Sequence, residues 1–347
     1  MEHLSEPEIY GAMRTRLEGL EPGFEIKRKA SLVEAINRLK KQQNAIVLGH
    51  NYMEPAIYHF VADIVGDSLE LCRRAQAAQE AVIVFCGVEF MAETAKILNP
   101  QRKVLIPSLR AGCSLASSIT AADVRALKAR YPGVPVVTYV NTYADVKAES
   151  DICCTSGNAV AVVESLGTDT VIFLPDEYLA KNVAAMTGKH VIFPQASPTA
   201  AKDSSIDQVF IGWHGRCEVH DQFTVDDVAR VREQFSDVVV LAHPECPPEV
   251  VAASDFSGST SAMIRYVKEQ GARRYLLLTE CSMADNIIAT HPEGEVLRLC
   301  SVRCPHMNQI TLEDTLASLQ ELRYEVKVDP IVAAKAALAI ERMLKIG

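Results

Sequence analysis

The chemistry this sequence can do rests on ten cysteines and on a set of polar residues that leave apolar strands. Cys86, Cys153 and Cys154 lie inside apolar runs, and Cys72 follows Leu69 and Leu71 in a helical stretch. These four read as packing, since cysteine behaves as a small buried hydrophobe. Cys113, Cys217, Cys246, Cys281, Cys300 and Cys304 fall in predicted loops, where a thiolate can reach a metal. Three have telling neighbours: Gly112-Cys113-Ser114, Gly215-Arg216-Cys217 and Arg303-Cys304-Pro305. Glycine permits close backbone approach, and arginine favours the thiolate. No CxxC pair is present, so a zinc ribbon or ferredoxin-type run is not supported. Spacing alone says that some loop cysteines bind a metal, not which ones.

The second set sits at strand exits. AIVLG (45–49) leads into His50-Asn51-Tyr52, VVTYV (136–140) into Asn141, and VVVLA (238–242) into His243-Pro244-Glu245. One polar residue after an apolar strand is only the start of a loop. Three strands ending in His, Asn and His beside further donors predict a shared site at the carboxyl ends of parallel strands. The turn Gly258-Ser259-Thr260-Ser261 opens a helical stretch and can serve as a cap or as an anion subsite.

Positioning these residues falls to short apolar runs that alternate with helical stretches, the pattern of an α/β protein with parallel sheets. Strands are predicted at 45–49, 81–86, 103–107, 134–140, 151–155, 170–175, 190–194, 208–213, 237–242 and 273–279. Nearly all are apolar throughout, as expected when both faces are covered. Helix starts are read at Ser31 with Glu34, at Asp67 with Glu70, and at Thr120, Thr224 and Thr311. Each polar exit is followed by two further strands and a loop cysteine, over the intervals 50–113, 141–217 and 243–304. The middle interval is lengthened by a Pro/Ser/Ala-rich stretch read as an inserted loop, 194–208. The expected fold is α/β: three similar three-layer αβα domains with parallel sheets. Their spans would be 1–125 (with an N-terminal helical segment), 126–235 and 236–315, and C-terminal helices over 316–347 would pack back on the body.

The length of 347 residues suits two or three domains, and 48% hydrophobic with 23% charged residues is an ordinary globular balance. A net charge of −9 argues against nucleic-acid binding, though not against a small anionic substrate. The acidic N-terminal stretch lacks the apolar core of a secretory signal, and no apolar run is long enough to span a membrane. A cytoplasmic, reducing location is therefore expected, with the cysteines reduced.

Over about residues 30 to 340 the chain resembles the quinolinate synthases. The resemblance is carried by GHNY (49–52), GDSLEL (66–71), GVEFMAETAKIL (87–98), YVNTYADVKAESD (139–151), TSGNAV (155–160), PDEYLAKNV (175–183) and MTGKH (186–190). It continues through GWHGRCEVHDQF (212–223), HPECPPEV (243–250), GSTSAMI (258–264), TE (279–280) and CPHMNQITLEDTL (304–316). It implies three domains in pseudo-threefold arrangement around a central [4Fe–4S] cluster ligated by Cys113, Cys217 and Cys304, the cysteines that close the three intervals. The implied activity is that of a transferase in NAD biosynthesis, condensing iminoaspartate with dihydroxyacetone phosphate to quinolinate, phosphate and water. An enzyme supplying iminoaspartate, L-aspartate oxidase or aspartate dehydrogenase, is the implied functional partner.

By motif the resemblance places His50, Tyr52, Ser68, Tyr139, Asn141, Ser156, His243, Glu245, Ser259, Thr260 and Met307 around the substrate, with His220 near a ligand. Catalytic candidates are His50, Tyr52, Tyr139, His243 and Glu245, with Glu245 and Tyr52 as acid/base groups and the two histidines as donors to oxyanions. Three thiolates for four irons leave one iron open as a Lewis acid. Plainer roles compete: Glu245 capping a helix from Pro247, Tyr52 packing on Phe60 or Met53, and His220 and Met307 as structural residues. The chain departs from some relatives in its inserted loop and in Cys300, four positions before Cys304 where they carry CxxCxxC; this argues against a regulatory disulfide. The alternatives are another [4Fe–4S]-dependent hydro-lyase acting on a small hydroxy acid, and a non-catalytic metal- or small-acid-binding protein.

Overall fold

Three parallel sheets carry the apolar runs, in a computed structural model that describes residues 4–193, 209–291, 294–299 and 301–346. The inserted loop 194–208 and Cys300 lie outside the described residues. The first sheet holds β1 (Ala45–His50), β2 (Ile64–Gly66), β3 (Val82–Cys86) and β4 (Lys103–Leu105), in the order β2-β1-β3-β4. The second holds β5 (Val136–Tyr139), β6 (Ile152–Cys154), β7 (Thr170–Leu174), β8 (His190–Ile192) and β9 (Val209–Ile211), in the order β6-β5-β7-β9-β8. The third holds β10 (Val238–Ala242), β11 (Phe256–Ser257), β12 (Arg274–Leu278) and β13 (Glu295–Arg298), in the order β11-β10-β12-β13. Helices flank all three, so the α/β class with parallel sheets is what the chain adopts. The ten predicted strands form. Three short ones, β2, β11 and β13, escaped the sequence pattern because they have three, two and four residues with half-exposed side chains.

One device sets the register of all three sheets. The carboxylate Oδ2 of Asp63, Asp151 and Asp255 accepts the backbone N–H of Val47, Val136 and Val240, each at 2.8 Å. The backbone N–H of each aspartate donates back to the carbonyl of the same valine. Three residues beyond each clamped valine stand His50, Tyr139 and His243; two further on stand Tyr52, Asn141 and Glu245. This corrects the sequence alignment of the exits in the middle unit. Tyr139 is the counterpart of the two histidines, and Asn141 is the counterpart of Tyr52 and Glu245.

Helix caps form as expected at Asp67, Thr120, Thr224 and Thr311, whose side chains accept from Glu70, Asp123, Asp227 and Asp314. Ser31 is not a cap. The helix runs from Gly23 to Gln42, because Ile26 and Ala30 extend the buried face of Val33 and Ile36 and leave Ser31 on the solvent side. The segment after each loop cysteine packs on the following unit. Ile119, Val124 and Leu127 join a core with Val136 and Ile172, and Val219, Phe223 and Val228 join one with Val238 and Val240. Helix Leu312–Glu321 packs on β3 and on helix Gly23–Gln42, closing the cycle. The C-terminal helix Pro330–Leu344 packs on β6 and helix Ala144–Ala148. Among the described residues no helix is long and apolar enough to cross a membrane.

Candidate active site

The three cysteine loops share one local geometry. Cys113, Cys217 and Cys304 each precede a 3-10 turn, at Ala116–Ser118, His220–Gln222 and Met307–Gln309. Their carbonyls accept the N–H of Ser117, Asp221 and Asn308, at 3.0, 2.9 and 3.1 Å. The Met307 N–H donates to the Cys304 sulfur at 3.4 Å, and in each loop the backbone N–H groups two and three residues past the cysteine (Leu115 and Ala116, Val219 and His220, His306 and Met307) favour negative charge on the sulfur. The turn thus places two amide donors beside each sulfur. All three cysteines line a single cavity. Burial nonetheless pushes the bare thiols up, to about 12 for Cys113 and about 11 for Cys304, and Cys217 well above its ordinary value. A positive centre would have to displace those protons.

The same cavity is lined by His50, Tyr52, Ser68, Tyr139, Asn141, Ser156, His243, Glu245, Thr260 and Met307. Strand ends β1, β5 and β10 supply the histidines, tyrosines, Asn141 and Glu245. The segments after β2, β6 and β11 supply Ser68, Ser156 and Thr260, each five residues past its register-setting aspartate; Ser68 and Thr260 open helices and Ser156 lies in a turn. Ser259 does not line the cavity; its hydroxyl donates to Asp67 (2.8 Å) and accepts from the Ala262 N–H as the helix cap. Cys246 and Cys281 are buried away from it, and Cys246 donates to the Leu278 carbonyl. Among the described residues no Lys or Arg lines the cavity.

Glu245 is the electrostatic centre. It is 3% exposed, and His220 Nδ1 lies 2.6 Å from its Oε2, an ion-pair distance without the alignment of a hydrogen bond. Asn141 donates to its Oε1 at 3.2 Å, and Tyr139 also hydrogen-bonds to it. Burial works to raise this carboxyl, but the adjoining His220 first, then His243 and the Tyr139 hydrogen bond, outweigh it and lower Glu245 to about 2. Helix Pro248–Ala253 begins beyond it without a side-chain cap, so Glu245 serves the cavity rather than that helix. Beyond His220, its Nε2 is 3.0 Å from Thr279 Oγ1 and 3.4 Å from the Tyr52 hydroxyl, which lies 2.5 Å from Thr279 Oγ1. Glu245, His220, Thr279 and Tyr52 therefore form a chain of close polar contacts, hydrogen-bonded from His220 onward. Sequence reasoning left His220 as structural and did not find Thr279.

His50 and His243 are alike. Each Nδ1 accepts the backbone N–H two residues on, from Tyr52 (3.2 Å) and Glu245 (3.3 Å), so Nε2–H is the remaining ring donor. Burial first, and for His243 also the neighbouring His220, lowers them to about 4 and about 3, so both are neutral donors at neutral pH. Burial and the Glu245 charge raise the Tyr52 and Tyr139 hydroxyls well above their ordinary value.

The family profile described as quinolinate synthetase A protein matches residues 34–345. The chain belongs to that family. It is 56% identical over 331 residues to quinolinate synthase 2 of Mesorhizobium japonicum, covering 95% of this chain and 96% of the relative. Quinolinate synthase of Agrobacterium fabrum is 56% identical over 314 residues, covering 90% and 85%. That of Xylella fastidiosa is 54% identical over 314 residues, covering 90% and 87%. As a quinolinate synthetase A protein, the chain carries its site where its three sheets meet. A sequence signal for these three cysteine loops was available in the spacing: Thr120, Thr224 and Thr311 each stand seven residues after Cys113, Cys217 and Cys304, and Asp123, Asp227 and Asp314 each three further on. No other cysteine is followed in that way.

Proposed function

We propose that this protein is a quinolinate synthase, condensing iminoaspartate with dihydroxyacetone phosphate to quinolinate with release of phosphate and water. The observation that carries the reading is the meeting, in one buried cavity, of three loop cysteines from three sheets with the Glu245–His220–Thr279–Tyr52 chain of contacts. The donor set fits a [4Fe–4S] cluster held by three thiolates. The sulfurs act electrostatically on one another across the cavity, each has amide donors beside it, and among the described residues no fourth cysteine lines the wall. When bound, such a cluster supplies a Lewis acid at the iron without a protein ligand, which favours loss of a hydroxyl as water. A competing set, Cys217, His220 and Glu245, has donor atoms within 4.8 Å of one another and suits a single metal ion. Iron stoichiometry separates the two.

The chain's own groups account for the rest. With no Lys or Arg on the wall among the described residues, the phosphate and carboxylates would be bound by Ser68, Ser156 and Thr260 and by the backbone amides beside them. Asn141 Oδ1, buried without a partner, is an acceptor open to an imine or amine N–H. His50 and His243 present neutral N–H donors to oxyanions. Glu245, ionised and backed onto His220, withdraws a proton, and the Tyr52 hydroxyl at the other end of the contacts returns one. Protein purified without oxygen should be brown, with about four irons per chain. It should form quinolinate from the two substrates, and should bleach and lose activity in air. Full activity in iron-free protein sinks the reading; dehydration of a small hydroxy acid without condensation would favour a hydro-lyase.

A further inference from the structure

The cavity wall is buried or half-buried except beside the cysteines. Of the residues that line it, only Ser114 and Glu218 are exposed, and each directly follows a loop cysteine. Glu218 Oε1 accepts from Ser114 Oγ at 2.9 Å and lies 2.9 Å from Nε2 of His306, the residue two past Cys304. One carboxylate oxygen thus joins all three cysteine loops on their solvent side. Those loops hang from three different sheets and no disulfide ties them among the described residues, so their spacing depends on such cross-links. The rest of the surroundings does not duplicate this. Trp213 Nε1 donates to the Ser118 carbonyl and joins only two of the loops.

We propose that the Ser114–Glu218–His306 bridge is a clasp that holds the three cysteine loops together and shields what they bind, making Glu218 a positioning residue for the iron site. This rests on the cluster reading above. Without the clasp the three sulfurs can splay toward solvent, so iron leaves and oxidants enter faster, while the buried cores are untouched.

The test uses cluster-loaded protein purified without oxygen. Iron release to a ferrous chelator and bleaching in air are timed by absorbance for wild type, Glu218→Ala, Glu218→Gln, Ser114→Ala and His306→Ala. Glu218→Ala should lose iron about three- to tenfold faster, as expected for one lost hydrogen bond and one lost ion-pair contact at a partly exposed carboxylate. Ser114→Ala and His306→Ala should fall between it and wild type. Glu218→Gln keeps an acceptor oxygen and should restore most of the retention. Melting temperatures should stay near the wild-type value, because Ser114 and Glu218 are exposed and His306 is half-exposed, outside the buried cores. Wild-type release rates in all three alanine variants overturn the clasp. So does fast release that tracks a fall in melting temperature and is not rescued by glutamine. Should Glu218→Ala fail to load iron, the two single-partner variants decide. A wild-type protein that binds no iron defeats the cluster reading instead; the clasp is then read in iron-free protein as faster iodoacetamide labelling of Cys113, Cys217 and Cys304 in Glu218→Ala, and equal labelling overturns it.

Discussion

The exits of β1 and β10 are the same piece of backbone carrying different chemistry. Both are set by an aspartate clamp, both place a histidine at the strand end, and both histidines accept the N–H two residues on. At that second residue β1 presents Tyr52, a hydroxyl whose proton is held tightly, and β10 presents Glu245, a carboxylate held ionised. The middle exit presents neutral Asn141 at the same place. Threefold architecture therefore ends in a cavity with one ionised strand-exit arm, and the contacts through His220 and Thr279 connect that arm to Tyr52. Repetition builds the cavity; one substitution per repeat gives it polarity.

The largest test of this contrast concerns what the three units share. Cys113→Ala, Cys217→Ala and Cys304→Ala should each lose most of the iron, whereas Cys72→Ala and Cys86→Ala, buried in the cores, should keep it and only loosen packing. Unequal iron loss among the first three would break the threefold equivalence of the loops. Next in size is the difference between the arms. Glu245→Gln should lower kcat/KM by about a thousandfold and Tyr52→Phe by about a hundredfold, within the range for a lost acid or base group. Steady-state kinetics showing the reverse order would move the negative arm's role to β1.

The two histidines should act alike in a pH titration of stability. Each is buried neutral, with its folded value lowered to about 4 for His50 and about 3 for His243. The unfolded chain takes up these protons first, so stability is full above about pH 6.5 and is lost as pH falls toward those folded values. The slope should be about 1.4 kcal/mol per pH unit for each histidine. Denaturant melts of iron-free His50→Gln and His243→Gln should each show a flatter slope. The smallest effect separates two adjacent hydroxyls. Thr260→Ala, on the wall, should cost about tenfold in kcat/KM. Ser259→Ala, a cap bonded to Asp67, should instead cost about 1 kcal/mol of stability with near-normal kinetics.

Much of this was legible from residue order. Continuous apolar runs without alternation can only be strands covered on both faces, so the α/β class and ten strands followed from local chemistry. The caps at Thr120, Thr224 and Thr311 are local hydrogen bonds and were equally readable. Ser31 misled because a capping pattern cannot tell a helix start from an exposed turn inside a longer helix. The cysteine motifs, His50, Tyr52, His243 and Glu245 were named from their places at strand exits and loops.

Tertiary structure alone decided the rest, because the deciding contacts join residues far apart in sequence. The Asp63, Asp151 and Asp255 clamps set the register that pairs Tyr139, rather than Asn141, with the histidines. His220 became part of the chain of contacts only when the third sheet brought Glu245 to one of its nitrogens and Thr279 to the other. Ser259 and Thr260 parted company because Asp67 of the first unit claims one hydroxyl while Asn51 donates to the other, on the cavity wall. Short-range patterns determine which residues stand at strand ends. Burial and the meeting of three sheets determine which of them are charged, which are neutral, and which touch.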